Sequence, residues 1–129
     1  MILRDRAGSW RYRAGAPAPG TTLCKAAALA EGKAMGLVFG GGSARFELVL
    51  LRHGGRAIAY VNDCPHAHTP LDLLPDQFFN RERTHLLCRT HGAEFRIGDG
   101  VCVRGPCLGR ALEPVPVEER DGRVVLAET

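Results

Sequence analysis

The sequence predicts an all-β domain of small antiparallel sheets. Three observations predict it: short β-rich runs joined by glycine turns, no helical pattern of ten or more residues between successive strands, and 16 Gly and 8 Pro spread along most of the chain. A chain of 129 residues has room for one such domain. Its 45% hydrophobic and 24% charged residues are ordinary globular values, which exclude a disordered chain. The apolar runs are too short to cross a membrane, and Met1-Ile2-Leu3 meets Arg4, Asp5 and Arg6 at once, without a secretory h-region. A cytoplasmic protein with no membrane partner is therefore expected. A net charge of +3 and few base-stacking aromatics give no footprint for nucleic acid. Five cysteines in that context point to metal or redox chemistry rather than to a disulfide framework.

Along the chain, residues 1–20 form an N-terminal extension, in which Arg4, Arg6, Arg11 and Arg13 surround Trp10 and Gly15-Ala16-Pro17-Ala18-Pro19-Gly20 reads as a linker. Trp10 is expected to cover the barrel. The domain occupies 21–129. Residues 26–31 are expected to form about two turns of helix before Gly32, and Gly40-Gly41-Gly42 is a turn, since no Lys-Ser/Thr follows to make a phosphate loop. Strands are expected over 45–52 and 56–61, with His53-Gly54-Gly55 as their hairpin loop, and these lead to Cys64. Leu86-Leu87 leads into Cys88. Residues 94–97 and 101–103 flank a Gly98-Asp99-Gly100 turn, and 115–119 pairs with 123–127 across Asp121-Gly122.

Two short motifs carry metal-ligand chemistry: Cys64-Pro65-His66 and Cys88-Arg89-Thr90-His91-Gly92, with 21 residues between them, 67–87. Each offers one thiolate and one imidazole. Pro65 stiffens the first loop and Gly92 permits a tight exit from the second. By ligand type alone, Cys64, His66, Cys88 and His91 suit zinc as well as an iron-sulfur centre. The context favours the cluster, because structural zinc sites more often pair their cysteines as C-x₂₋₄-C.

This arrangement of C-x-H followed by C-x-x-H-G resembles the Rieske iron-sulfur family. The resemblance extends over about 23–126 and takes in the strand pair before the first loop, His91-Gly92-Ala93-Glu94-Phe95 after the second, and Gly105-Pro106 as the third, proline-containing loop. The spacing between the two motifs is a few residues longer than is common in small ferredoxins. Residues 76–83 are the expected insertion, which should lengthen a loop without moving ligands. The resemblance implies a Rieske-like fold with a two-loop cluster-binding subdomain. It also implies a [2Fe-2S] cluster whose inner iron is held by Cys64 and Cys88 and whose outer iron is held by His66 and His91. Neutral imidazoles leave the outer iron electron-poor, so it accepts the electron and the potential exceeds that of an all-Cys centre.

The same resemblance implies a stand-alone ferredoxin that passes one electron from a reductase to a terminal oxygenase or reductase, without substrate chemistry of its own. Oxygenase catalytic subunits of the family add a long C-terminal iron domain, whereas this chain ends 38 residues past His91. The small subunit of an assimilatory nitrite reductase is an alternative, as is a regulatory or structural module holding a cluster or zinc. The hydroxyls that respiratory Rieske proteins direct at the cluster fall at Ala93 and Phe95, and the cysteines of their loop-bridging disulfide at Thr69 and Thr90. Both features are missing here. His53, His68 and His85 are expected on the surface, and Cys24, Cys102 and Cys107 as packing residues rather than ligands or a disulfide.

Overall fold

The computed structural model describes residues 9–65 and 68–127. Ten strands are formed by these residues: β1 (Thr22–Lys25), β2 (Ala34–Phe39), β3 (Phe46–His53), β4 (Arg56–Val61), β5 (His85–Leu87), β6 (Glu94–Arg96), β7 (Cys102–Arg104), β8 (Pro114–Val115), β9 (Val117–Arg120) and β10 (Arg123–Leu126). They make three antiparallel sheets in the orders β1-β10-β9, β2-β3-β4-β8 and β5-β6-β7. The all-β expectation is met.

β3 organises the molecule because both of its faces are buried. Successive strand side chains point to opposite faces, so Leu48 and Leu50 enter one core with Phe46, Ala59 and Val61, while Val49 and Leu51 enter the other with Tyr60 and Leu71. Burial on both sides is why this segment reads as an apolar run instead of an alternation. The first core lies toward the β1-β10-β9 sheet through Leu23, Val124 and Leu126. The second lies toward β5-β6-β7 and contains Cys64 and Cys88. Tyr60 Oη donates to the Ile97 carbonyl at 2.7 Å, tying the middle sheet to the third. Burial, with the Asp99 charge adding to it, pushes this hydroxyl well above the ordinary tyrosine range.

The β3–β4 hairpin forms where expected. His53 pairs with Arg56, and Gly54 and Gly55 take φ of 63° and 80°, the conformation a two-residue turn of this hand requires. Glu31 closes the turn by accepting from both glycine N–H groups at 2.8 Å, and these bonds hold its carboxyl below the usual range.

Three local readings change. The helix expected over 26–31 is a single 3-10 turn at Ala26–Ala28, followed by a different use of its carbonyls. Arg52 donates to the Leu29 carbonyl at 2.6 Å and to that of Ala26 at 3.4 Å, and Lys25 provides no side-chain cap. β1 and β2 are not among the strands expected from the sequence. β2 contains Gly36, whose missing side chain makes room for Phe78, 3.3 Å from where a Cβ would stand. The 76–83 segment is accordingly more than a lengthened loop. Phe78 and Phe79 are buried in the core, the Asp76 carboxylate accepts from Gly36 N–H at 2.7 Å, and Arg83 donates to the Gly32 carbonyl while stacking 4.7 Å from the Phe79 ring.

In the extension, Ser9–Tyr12 forms a 3-10 turn and Trp10 is fully buried beside Phe46, with ring centroids 6.4 Å apart. Its backbone N–H donates to Glu113 Oε2 at 2.6 Å, and Arg13 pairs with Asp63 and Glu113 at 3.1 and 3.2 Å. The extension thereby reaches the residue preceding Cys64.

Candidate metal centre

The first ligand loop leaves β4 and the second leaves β5, and their backbones repeat one another. Cys64 N–H donates to the Thr69 carbonyl at 2.8 Å, and Cys88 N–H to the Ala93 carbonyl at 2.8 Å. Four residues after each cysteine, His68 N–H returns to the Cys64 carbonyl at 2.7 Å and Gly92 N–H to the Cys88 carbonyl at 2.9 Å. Both returning residues have positive φ, 57° at His68 and 80° at Gly92. His68 therefore does in the first loop what glycine does in the second, a left-handed position that histidine tolerates better than bulky residues do. Each loop begins with a cysteine that is fully buried, and both thiols belong to the same core.

The loops are braced against each other and against the scaffold. Asn62, itself buried, accepts from Leu71 N–H at 2.8 Å and donates to Asp72 at 3.1 Å, closing the base of the first loop. Arg89 N–H donates to the Leu71 carbonyl at 3.0 Å, and its guanidinium to the Phe79 carbonyl at 3.1 Å. The third loop crosses over both: Arg110 donates to the Pro65 carbonyl at 3.1 Å, and Gly105, at φ 103°, lies where a Cβ would come 2.8 Å from Ala93 Cα. Asn62 and Arg110 were not indicated by the motifs. The only sequence signal for Asn62 is a polar residue interrupting the apolar end of β4.

Of the four expected ligands, Cys64 and Cys88 are brought into one buried cluster and His91 is exposed on the second loop. His66 lies outside the described residues. Among the described residues no three His, Cys, Asp or Glu side chains form a group suited to a single metal ion. Ala93 and Phe95 are fully buried and bring no hydroxyl to the site. Thr90 is exposed, while Thr69 Oγ1 is buried with no hydrogen-bond partner among the described residues. Two buried thiols on equivalent loops, an exposed imidazole and an orphaned buried donor suit a group with sulfur acceptors, so the residues present fit a [2Fe-2S] cluster.

Of the remaining cysteines, Cys102 and Cys107 share the buried core of Cys64 and Cys88. His53 and His68 are exposed, and His85 is half-buried at the start of β5 with Nδ1 2.9 Å from Thr84 Oγ1. His68 Nδ1 is 3.5 Å from Asp63 Oδ1. Cys24 is half-buried on β1. Cys102 and Cys107 are buried free thiols with sulfurs 3.3 Å apart, and Cys102 donates to the Arg104 carbonyl at 3.2 Å. Burial first, then the hydrogen bond and charge of Cys102, push the Cys107 thiol up to about 12, with Cys64 acting in the same direction.

Comparison with known proteins agrees with this picture. The family described as Rieske [2Fe-2S] domain matches residues 21–119. Among solved structures, the ferredoxin of carbazole 1,9a-dioxygenase from Nocardioides aromaticivorans IC177 is 20% identical with a TM-score of 0.64, over 87% of this chain and 100% of that one. The Sphingomonas yanoikuyae B1 ferredoxin is 22% identical with a TM-score of 0.63, over 85% and 99%. A carbazole-bound oxygenase and ferredoxin complex of carbazole 1,9a-dioxygenase matches at 19% identity and a TM-score of 0.70, over 91% of this chain and 30% of that one. At these identities the likeness is one of fold. No curated protein matches the sequence. No described helix is long and apolar enough to cross a membrane.

Proposed function

The chain belongs to the Rieske [2Fe-2S] domain family, and from that premise we propose that it is a one-electron carrier, a Rieske-type ferredoxin that takes an electron from a reductase and passes it to a terminal oxygenase or reductase. The observation that carries the reading is the pair of equivalent loops, each opening on a buried cysteine. Cys64 and Cys88 would hold one iron through their thiolates, and His66 and His91 the other through neutral imidazoles. The bound cluster supplies reversible uptake of a single electron. The protein's own part is to shield the thiolates from water, hold the loops in register and keep the histidine side at the surface. Exposure of His91 favours a short path to a docked protein. The three loops, 64–70, 88–93 and 104–111, contain Arg89, Arg104 and Arg110 and no carboxylate. That balance suits an acidic partner face, and exposed Leu108 adds an apolar contact.

The expected potential is argued from the hydroxyls absent at positions 93 and 95. A hydrogen bond to a cluster sulfur stabilises the more negative, reduced state, and the buried positions 93 and 95 provide no hydroxyl for it. The protein is expected to give a reversible one-electron wave at neutral pH, with a midpoint below about +100 mV in a Rieske span of about −150 to +300 mV. Protein-film voltammetry checks both statements. An irreversible or absent wave would overturn the carrier reading, and a midpoint above that limit would overturn the argument from missing hydroxyls.

A further inference from the structure

The first ligand loop is held from outside the stretch that the family description covers, residues 21–119. Arg13 pairs with Asp63 Oδ2 at 3.1 Å and with Glu113 Oε1 at 3.2 Å, and with His68 these residues line one cleft. We propose that Arg13 is a positioning residue for the cluster: it braces Asp63 against Glu113, fixes the loop that carries Cys64 and His66, and so slows loss of the cluster. This inference rests on the ligand assignment of the carrier reading and deepens it.

Asp63 touches both ends of that loop. It immediately precedes Cys64, and its Oδ1 lies 3.5 Å from Nδ1 of His68, the positive-φ residue whose N–H closes the turn on the Cys64 carbonyl. Glu113 belongs to the scaffold: its carbonyl accepts from Val61 N–H at 2.9 Å, at the end of β4, and its Oε2 accepts from Trp10 N–H at 2.6 Å. Arg13 is fixed from its own side by the turn it closes, donating from N–H to the Trp10 carbonyl at 3.0 Å while Ala16 N–H donates to its carbonyl at 3.2 Å. Gly15, at φ 83°, packs so closely on the Ala44 carbonyl that a side chain there has no room. A planar guanidinium can serve two carboxylates at once, which an ammonium does less well. Without it, two half-buried carboxylates that share one cation repel each other. The loop side then moves, because the Glu113 side is held.

Five proteins, each first analysed for iron and labile sulfide, test the proposal: the parent, Arg13→Ala, Arg13→Lys, Asp63→Asn and the Arg13→Ala/Asp63→Asn double variant. Bleaching of the visible absorption by excess EDTA reads cluster loss, and urea unfolding without EDTA, followed by far-UV circular dichroism, reads global stability. Arg13→Ala should bleach about tenfold faster than the parent, the low end of what supporting residues around metal ligands contribute. Its urea midpoint should stay near the parental one, since an ion pair whose Arg13 side chain is 42% exposed adds little to global stability. Arg13→Lys, which keeps the charge without the fork, should recover part of the loss, and Asp63→Asn should bleach faster than the parent. Because Arg13 acts through Asp63, its removal should add little in the Asp63→Asn background. Unchanged bleaching in cluster-loaded Arg13→Ala, no recovery in Arg13→Lys, or a full tenfold effect in the Asp63→Asn background would each overturn the proposal while leaving the carrier reading intact. Faster bleaching joined to a steep fall in the urea midpoint would also overturn it, as a merely structural part. If Arg13→Ala does not load, Asp63→Asn decides: bleaching at the parental rate overturns the proposal. A parent without iron and sulfide would overturn the carrier reading and this inference together.

Discussion

Cys88→Ser is expected to lose its visible absorption and most of its resistance to unfolding. Cys88 is fully buried at the start of the second loop, and its own backbone bonds to Ala93 and Gly92 hold only that loop together. Among the described residues the backbone bond from the second loop toward the first is that of Arg89 to Leu71, just past the first loop, so metal-ligand bonds are expected to do most of the joining. Structural metal sites contribute about 10 kcal/mol or more to folding, comparable with the whole stability of an ordinary domain at about 5–15 kcal/mol. A hydroxyl at position 88 is a poorer soft-metal ligand and would be buried without its counterpart charge. Absorption spectra and urea unfolding of the purified variant check this. A normal spectrum would show that Cys88 is not a ligand.

Trp10→Ala should cost about 3–5 kcal/mol, the range for removing a large buried aromatic from a packed core. The residue is fully buried against Phe46 on the face of β3 opposite the core of Cys64 and Cys88. Its loss therefore acts on stability and not on the centre. Urea midpoints should fall steeply while the spectrum of the folded protein stays unchanged. Trp10→Phe should recover most of the loss, because the indole Nε1 is buried without a hydrogen-bond partner among the described residues and its removal leaves nothing unpaired. A Trp10→Ala protein as stable as the parent would mean that the extension does not pack on the domain in solution.

The contrast between these two sites shows what the sequence makes legible. Local chemistry was readable: the glycine turn at Gly54-Gly55 marked its hairpin, and the paired Cys and His motifs marked the loops. Long-range pairing was not. β2 carries Gly36 in its middle, which looks like a breaker in one dimension and serves in three as the seat of Phe78. Likewise 76–83 looks like an insertion because its polar residues hide two aromatics that fill the core. The likeness of the two loops is hidden because His68 occupies the backbone position that Gly92 announces openly. For the extension, Trp10 among the arginines is readable as a covering side chain and is buried as expected, whereas the pairing of Arg13 with Asp63 beside the first cysteine joins residues far apart in the chain and leaves no local signal.

Metal and acid-labile sulfide analysis of the protein as purified tests the central claim most directly, since zinc and a cluster share the same donor types. A [2Fe-2S] centre requires two irons and two sulfides per chain, with a red-brown colour that bleaches on reduction and returns on reoxidation. One zinc per chain with no sulfide would contradict it.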